Sequence, residues 1–335
     1  MVRKIQKNID GLRKENINLI SVSNSEWYSL LKDEIRNSIA IEGVFSNRND
    51  LITVLEKNKK TTKQKTAAIL GYFEAASMMY EYANNQYKEG EFLLRLSDIK
   101  QIHTILMRYE KDIGTFLGDI GSFRKANIKV SQATFNPIDV FYIKDAMNLF
   151  VKWVNTGLKK NKDAVKLASL AHVWFESIHP FRDGNGRVGR ILLSYLLIGS
   201  GYINIAIKGI SKKERMSYYN ALEACDDVFE KISREIEQGS KVTVQNVDKM
   251  IKNERFDEFE NMVIDRLEDS LHRLKRNDKK MNSKSLVPLN KLSTMFDYSS
   301  DYLRNLINRG QLKAEKRDGK WFVRLKDMEE YVKER

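Results

Sequence analysis

The chain has 335 residues, of which 42% are hydrophobic, and its 58 Lys and Arg against 45 Asp and Glu give a net charge of +13. This hydrophobic content excludes a disordered chain and predicts one large domain with a smaller one, or two or three modest domains. The single cysteine excludes an internal disulfide and favours a reducing compartment, and the low content of proline (3) and glycine (17) favours a mainly helical protein. The net positive charge favours anionic partners such as nucleotides, nucleic acid or acidic protein surfaces.

The sequence gives no indication of secretion or membrane insertion. Its first ten residues lack the apolar run of a signal peptide. The most apolar segment, residues 191–198, is far shorter than the roughly 20 residues that a spanning helix needs, and Arg187 and Arg190 precede it. We therefore expect a cytoplasmic protein with no membrane partner.

Most of the chain has the apolar spacing of amphipathic helices, with hydrophobic residues three and four positions apart. The predicted helices cover residues 25–44, 66–86, 96–106, 139–155, 163–178 and 188–198, and further helices continue to about residue 270. One segment differs, because Ile128 and Val130 flank Lys129 in period-two alternation, which predicts a short strand or hairpin. The charged stretch 273–284 is the predicted linker to a final domain.

One loop, at residues 179–190, has the sequence His-Pro-Phe-Arg-Asp-Gly-Asn-Gly-Arg-Val-Gly-Arg. Gly184–Gly186 can adopt backbone angles that expose successive N–H groups around a concavity. The next helix begins near Arg187, so its N-terminus adds unpaired N–H donors and a positive dipole end, which suits phosphates. Arg187 and Arg190 lie three apart on that helix and can face the same anion.

Two further side chains of this loop suit chemistry on a phosphate. Asp183 offers a hard oxygen ligand for Mg²⁺, which usually binds phosphates together with one or two carboxylates. His179 is the only nearby group that titrates around neutral pH, and it suits removal of a proton from an attacking hydroxyl. Singly, these residues have plain structural explanations as a turn, a cap or a solvated helix face. Their occurrence together within twelve residues favours a functional site.

The loop resembles the signature of the Fic family, His-x-Phe-x-Asp/Glu-Gly-Asn-Gly-Arg-x-x-Arg, with no position departing from it. The resemblance implies that His179 is the general base on a Ser, Thr or Tyr hydroxyl of a target protein, that Phe181 anchors the loop in the core, and that Asp183 holds Mg²⁺ or Mn²⁺ on the phosphates of ATP. That hydroxyl would attack the α-phosphorus and expel pyrophosphate. The implied nucleotide-binding set is Asp183, Gly184, Asn185, Gly186, Arg187, Val188, Gly189, Arg190 and Tyr218, with Arg190 on the γ-phosphate.

Two segments outside the loop extend the resemblance. Gly121-Ser122-Phe123-Arg124, followed by Ile128, Lys129, Val130 and Ser131, is similar to the family's flap, a hairpin that pairs with the backbone of the target. Tyr218–Leu222 is similar to the segment that lines the adenine pocket, with Tyr218 as the preferred contact and core packing as the alternative. Asp226 departs from the asparagine that the family often has there, so a sugar or base contact at that position stays open.

Residues 38–43, Ser-Ile-Ala-Ile-Glu-Gly, resemble the family's inhibitory motif, Ser/Thr-x-x-x-Glu-Gly/Asn. Ser38 and Glu42 are four apart and share a helix face, and Gly43 completes the motif. The resemblance implies that Glu42 pairs with Arg190 and occupies the space that the γ-phosphate needs. A surface glutamate is the alternative. In some relatives the same glutamate supports removal of AMP from modified targets, so Glu42 can serve inhibition, hydrolysis or both.

The last fifty residues have a different pattern. A helix from about Leu289, a turn at 297–300, a helix at 301–309, alternation over 312–325 around Asp318-Gly319 and a final helix through Met328 follow one another. This order resembles the excisionase-like winged-helix domains. The resemblance makes Arg304, Asn305, Asn308 and Arg309 candidate DNA contacts, with Lys316, Arg317 and Lys320 on phosphates. Protein docking and dimerisation are the alternatives to DNA binding.

Together these predictions describe a mainly α protein, a Fic-type helical bundle with a small β-hairpin flap followed by a winged helix-turn-helix domain. The expected parts are an N-terminal helical region (1–110) with the inhibitory helix at about 30–44, a Fic catalytic core (111–230), a helical extension and linker (231–284) and the winged-helix domain (285–335). The resemblance implies a protein adenylyltransferase that uses ATP and Mg²⁺ or Mn²⁺ and that Glu42 inhibits. Removal of AMP by the same site, a DNA-binding regulator with a nucleotide-sensing site, and a homodimer stay open.

Overall fold

The computed structural model describes residues 1–15, 19–57, 59–130, 136–252, 256–275, 286–296, 298–317 and 319–333. They form two compact units, one of Met1–Ser46 with Asp50–His272 and the other of Asn47–Asn49 with Arg273–Arg335. Within the described ranges, no helix combines the length and the apolar run that crossing a membrane requires.

The chain up to residue 275 is mainly helical, and each helix predicted from the apolar spacing is present. The helices are α1 (Val2–Glu15), α2 (Ser25–Ile41), α3 (Arg48–Leu55), α4 (Lys63–Glu89), α5 (Leu96–Asp112), α6 (Ile143–Lys159), α7 (Ala164–Ile178), α8 (Asn185–Gly199), α9 (Lys212–Glu223), α10 (Asp226–Glu237), α11 (Val244–Lys252) and α12 (Asp257–Lys275), with a 3-10 turn at Val140–Tyr142 before α6. The predicted segments differ from these mainly at their ends.

Two of these ends matter for the site. Helix α2 stops at Ile41 rather than at residue 44, because Glu42 takes the C-cap position and Gly43 follows in the left-handed region at φ 82°. Helix α8 begins at Asn185, three residues before the predicted start, because Gly184 adopts φ 78° and turns the chain directly into the helix. The backbone N–H groups of Asn185 and Gly186 therefore belong to the first turn of α8.

Helix α8 is the centre of the first unit. Every one of its residues except Gly186 is buried, and α4, α5 and α7 pack against it. Its apolar side chains, Ile191 to Leu193 and Leu196 to Ile198, each contribute roughly 1.5–3 kcal/mol relative to an exposed position. Helices α4 and α5 approach each other closely at Gly71, where a side chain would meet the backbone of Leu106. The first turn of α8 is thus held on a rigid core.

The predicted hairpin is not formed in the described part of the flap segment, which we define as residues 121–130. These residues and 136–139 are neither helix nor strand, and Ser131 lies outside the described residues. Within the described residues the period-two pattern of Ile128–Val130 has no strand to pair with, and alternation alone does not form a strand. Instead, Arg124 fixes the segment, since its backbone N–H donates to the Pro180 carbonyl at 2.9 Å.

The second unit has the predicted two helices, hairpin and final helix in the predicted order, preceded by a strand at Leu286–Pro288 that the sequence did not predict. It contains β1 (Leu286–Pro288), α13 (Leu289–Phe296), α14 (Ser300–Asn308), β2 (Ala314–Arg317), β3 (Lys320–Arg324) and α15 (Leu325–Lys333). The strands form an antiparallel sheet in the order β1-β3-β2, and Gly319 at φ 75° turns β2 into β3. Val323, Leu292, Leu303 and Met328 meet in its core.

The winged-helix assignment and the DNA contacts stay predictions. Of the candidate contacts, Arg304 is exposed and donates to Asp301 at 3.0 Å in a surface ion pair. On the predicted wing, Arg317 forms a similar pair with Glu315 at 2.8 Å. Exposed pairs of this kind contribute little to stability, so a phosphate group could replace either carboxylate at small cost.

Gly71→Ala should destabilise the first unit by roughly 1–3 kcal/mol, because the added methyl would lie 2.1 Å from the Leu106 carbonyl oxygen and force α4 and α5 apart. Gly11→Ala is the matched control. Gly11 lies in α1 with no atom of another segment within 4 Å of an added Cβ, so alanine there should stabilise the protein by about 0.5–1 kcal/mol. Urea unfolding followed by far-UV circular dichroism measures both changes, and equal midpoints for the two variants would contradict this account.

Candidate active site

A cavity of about 630 Å³ in the first unit brings together most of the predicted site residues. The loop after α7, the first turns of α8, helices α9 and α10, the end of α2 and the flap segment line it. The predicted residues on its wall are Glu42, Ile128, Lys129, Val130, His179, Asp183, Gly184, Asn185, Gly186, Arg190 and Tyr218. Ser38, Gly43, Phe181, Arg187, Val188 and Gly189 are not on the wall.

His179 terminates α7 in a strained backbone conformation, at φ 51° and ψ 59°. Its Nδ1 lies 3.1 Å from the carbonyl oxygen of Glu176. A carbonyl only accepts hydrogen bonds, so Nδ1 carries the proton and the lone pair is on Nε2. Burial lowers the pKa of His179 to about 4, against the smaller opposing effect of the Glu176 carbonyl. The imidazole on the cavity wall is therefore a neutral proton acceptor at neutral pH.

The side chain of Asn185 holds the loop in shape. Its Oδ1 accepts from the backbone N–H of Phe181 and its Nδ2 donates to the Phe181 carbonyl, both at 2.8 Å. Phe181 is fully buried, and its ring stacks on His103 with 3.9 Å between centroids. At Gly184 a Cβ would lie 2.7 Å from the Met107 sulfur, so only glycine fits this turn. The loop is thus fixed from both sides before any ligand binds.

Asp183 is exposed at the mouth of the cavity. Its Oδ1 accepts from the N–H of Gly184 at 2.6 Å, and its backbone carbonyl lies 3.2 Å from His103 Nε2. Among the described residues, no cluster of three or more His, Cys, Asp or Glu side chains could hold a metal ion by itself. A single carboxylate of this kind fits Mg²⁺ or Mn²⁺ bound together with phosphate oxygens, because Mg²⁺ keeps most of its ligands from water and phosphate.

Arg190 is buried and pairs with the end of α2. Its Nη2 donates to Glu42 Oε1 at 2.6 Å and to the Ser38 carbonyl at 3.1 Å, and its Nε donates to Ser38 Oγ at 2.8 Å. Burial acts to raise the pKa of Glu42, but Arg190 and Arg187 outweigh it and the pKa is lowered. At neutral pH the cavity therefore contains the ion pair that the inhibitory motif predicts. A Cβ at Gly186 would lie 2.6 Å from the Glu42 oxygen, so the first turn of α8 approaches this pair closely.

Arg187 has a different environment from the one that its place in the motif suggests. It forms a two-point ion pair with Glu110 of α5, one hydrogen bond joining Nη1 to Oε1 and the other joining Nη2 to Oε2 at 3.1 Å. Three positions on a helix are about 60° apart, so Arg187 and Arg190 lie side by side yet contact α5 and α2 respectively. A phosphate contact by Arg187 would require Glu110 to give up this pair.

The end of the cavity formed by α9 and α10 contains a different set of groups. Tyr218 is buried, and its hydroxyl lies 2.9 Å from His172 Nε2. Glu176 has one carboxyl oxygen buried without a hydrogen-bond partner, and burial raises its pKa to about 8. Burial, with Glu223, likewise raises the pKa of Asp226 to about 7. At neutral pH Glu176 is therefore mostly protonated and Asp226 is about half ionised, and the guanidinium carbon of Arg190 lies 5.7 Å from the centroid of the Tyr218 ring.

Sequence reasoning missed three residues that shape this site, His103, Glu110 and Glu176, which contact the loop or line the cavity. It named Arg124 within the flap resemblance but did not predict that Arg124 donates from Nε to the His179 carbonyl at 3.0 Å. Only His103 had a usable signal, because it falls on the apolar face of α5 beside Ile99, Ile102 and Leu106, where a histidine is unusual.

Relatives with named activities match most of the chain. The sequence profile of the Fic/DOC family matches residues 93–197. A protein of Aquifex aeolicus named as a probable protein adenylyltransferase is 30% identical over 308 residues, which cover 89% of this chain and 86% of that protein. The protein adenylyltransferase Fic of Aedes aegypti is 29% identical over 234 residues, which cover 66% of this chain and 44% of the Aedes protein.

Solved structures give the same fold. A Fic domain containing signaling protein from Bacteroides thetaiotaomicron superposes with a TM-score of 0.60 at 20% identity, covering 82% of this chain and 96% of that one. Residues 134–508 of Fic-1 from C. elegans superpose with a TM-score of 0.56 at 19% identity, covering 82% of this chain and 71% of that one. At these identities the likeness concerns the fold alone.

Asn185→Asp should destabilise the loop by roughly 1–3 kcal/mol, because a carboxylate oxygen would replace the amide that donates to the Phe181 carbonyl. The exposed Asn220 on α9 gives the matched control, since Asn220→Asp adds the same charge without removing a buried donor. Urea unfolding at neutral pH measures the difference. Equal stability of the two variants would contradict the bracing role of Asn185.

Proposed function

This chain belongs to the Fic/DOC family, and on that premise we propose that it transfers AMP from ATP to a Ser, Thr or Tyr hydroxyl of a target protein. The observation that carries the proposal is the position of His179, whose unprotonated Nε2 belongs to the same cavity wall as the first turn of α8. A proton acceptor and an anion site are the two parts that attack of a hydroxyl on a phosphate requires. The names of the Aquifex and Aedes relatives support the same reaction.

The proposed roles follow the geometry of the loop. The backbone N–H groups at the start of α8 and the guanidinium of Arg190 bind phosphate oxygens, and Asp183 holds Mg²⁺ or Mn²⁺ at the cavity mouth. The metal, when bound, neutralises charge on the phosphates. Ile128 and Val130 pair with an extended segment of the target, which completes the flap ladder and places the hydroxyl near His179. Tyr218 contacts the base of the nucleotide.

The proposed reaction forms one bond, breaks one bond and moves one proton. The target oxygen forms a bond to the α-phosphorus while the bond from that phosphorus to the bridging oxygen of the β-phosphate breaks. Pyrophosphate leaves, and the hydroxyl proton moves to Nε2 of His179. Positioning of the reactants and neutralisation of charge supply most of the rate acceleration, because the protein itself does little covalent chemistry in a transfer of this kind.

Glu42 inhibits this reaction by occupying the anion partner position of Arg190. Glu42 Oε1 lies 2.6 Å from Arg190 Nη2 and occupies the space that the γ-phosphate of ATP needs. ATP therefore binds with its α-phosphate displaced. A displacement of about 1 Å costs on the order of a hundredfold in rate. The carboxylate of Glu42 also faces the cavity that contains His179, which supports hydrolytic removal of AMP as a second candidate function.

Glu42→Gly should raise incorporation of α-labelled ATP into protein, including the enzyme itself, by about a hundredfold over the wild type. The double variant Glu42→Gly/His179→Ala should lose that label, and so should Glu42→Gly in excess EDTA. If Glu42→Gly is folded and binds ATP but incorporates no label into protein, AMP transfer is rejected. Release of AMP from a labelled target by the wild type, lost in Glu42→Gly, would then favour the hydrolytic function.

The value of kcat/KM for Glu42→Gly should stay constant from about pH 8 to about pH 5.5 and fall as the pH approaches 4. The pKa of His179 is lowered to about 4, so the imidazole is a free base above that pH and a protonated, inactive group below it. Removing Glu42 also removes a negative charge that raises this pKa, so the variant should titrate lower still. Initial rates in excess Mg²⁺, which keeps the nucleotide metal-bound, give the profile. A midpoint near 6.5, the ordinary histidine value, would contradict it.

A further inference from the structure

We propose that His103 is a positioning residue whose two ring nitrogens hold two separate parts of the site, Nδ1 the base of the flap segment and Nε2 the loop that carries Asp183. This role rests on the proposed function, because the two parts it holds are the target-pairing segment and the phosphate-binding loop. His103 itself touches no reacting group and lies outside the cavity wall.

The hydrogen bonds of His103 fix one tautomer. The backbone N–H of Gly121 donates to Nδ1 at 2.8 Å, so Nδ1 carries no proton. Nε2 lies 3.2 Å from the Asp183 carbonyl, which only accepts, so Nε2 carries the proton. The side chain is fully buried. A neutral ring in this tautomer satisfies both partners, with one acceptor and one donor.

On the flap side, the hydrogen bond to Nδ1 comes from Gly121, the first residue of the flap segment, which packs against α5. Gly121 has φ 69°, and a Cβ there would lie 2.3 Å from Thr104 Oγ1, so its backbone rests directly on α5. From Gly121 the chain runs through Arg124 to the cavity wall at Ile128–Val130. A change in the Gly121 peptide plane would therefore move the edge that pairs with the target.

On the loop side, the hydrogen bond from Nε2 reaches the backbone carbonyl of Asp183. The next N–H, of Gly184, donates to Asp183 Oδ1, so the carbonyl and the carboxylate of one residue are both fixed. The ring of His103 also stacks on Phe181 with the planes 8° apart, which sets the height of the loop above α5. His103 thus joins the flap segment to the loop from the side of α5, while Arg124 joins them through the carbonyls of Pro180 and His179.

The two contacts can be separated by substitution. The Oδ1 of asparagine can take the place of Nδ1 as acceptor for Gly121, but asparagine is too short to reach the Asp183 carbonyl. The Nε2 of glutamine can take the place of the ring Nε2 as donor to Asp183, but its acceptor lies away from Gly121. Phenylalanine keeps the stacked ring and loses both hydrogen bonds.

The experiment places His103→Asn, His103→Gln and His103→Phe in Glu42→Gly, with the exposed His272→Phe as control. Metal affinity is measured by electron paramagnetic resonance as Mn²⁺ bound in the presence of an ATP analogue with a methylene group between the α- and β-phosphates. Flap order is measured by amide hydrogen exchange of peptides that cover residues 118–130. The tautomer is read from the ¹⁵N shifts of the His103 ring, and labelling from α-labelled ATP gives the rate.

We expect His103→Asn to weaken Mn²⁺ binding by about fivefold with unchanged exchange at Gly121, and His103→Gln to give the reverse, about fivefold faster exchange with unchanged Mn²⁺ binding. His103→Phe should show both changes, and the control neither. Equal losses in the Asn and Gln variants, or unchanged Mn²⁺ binding and exchange in His103→Phe, would overturn the proposal. Failure of Glu42→Gly to label protein would reject the proposed function instead, and the exchange and tautomer measurements would still test the positioning of Gly121 and Asp183.

Discussion

The burial of one positive charge, on Arg190, determines much of the surrounding structure. Its side chain is 3% exposed and extends from the central helix, so its desolvation must be offset by hydrogen bonds and a nearby anion. The end of α2 supplies such hydrogen bonds and the anion through Ser38 and Glu42, and the ring of Tyr218 lies 5.7 Å from the guanidinium carbon. The inhibitory contact is therefore also a structural contact, and a nucleotide that displaces Glu42 must bring an anion of its own to the same guanidinium. A phosphate satisfies that requirement, whereas water does not.

The position of Glu42 explains how it can leave without unfolding α2. It is the C-cap residue, one position beyond the helix, and its side chain is 37% exposed. Ser38 lies one turn earlier within the helix and accepts two hydrogen bonds from Arg190 that do not involve Glu42. One further turn back, the buried carboxyl of Glu34 accepts hydrogen bonds from Tyr72, Tyr80 and Asn204. The helix is thus held to the core well before its end, and Glu42 lies just beyond the part that these contacts hold.

The sequence predicts those parts of the site that depend on local spacing. The pairing of Glu42 with Arg190 followed from a resemblance carried by two short motifs, and the helices followed from apolar periodicity. The partners of Arg187 and His103 could not be predicted, because Glu110 and Asp183 lie 77 and 80 residues away along the chain and no local pattern connects them. The early start of α8 depended on the left-handed turn at Gly184, which adjoining glycines permit but do not require. The flap strand was predicted from alternation, although a strand also needs a neighbour to pair with.

The distribution of charge in the cavity favours one place for phosphates. Arg190 and the N-terminus of α8 supply donors and a dipole that attract them. Tyr218 lies beside Arg190, because its ring centroid is 5.7 Å from the guanidinium carbon. Burial raises the pKa values of Glu176 and Asp226, so these acids oppose a phosphate less than two ordinary carboxylates would. His179 lines the same wall, and burial keeps it an uncharged proton acceptor at neutral pH. The same burial that makes Arg190 depend on an anion thus leaves His179 as a base, and under the proposed function the reacting phosphate lies between them.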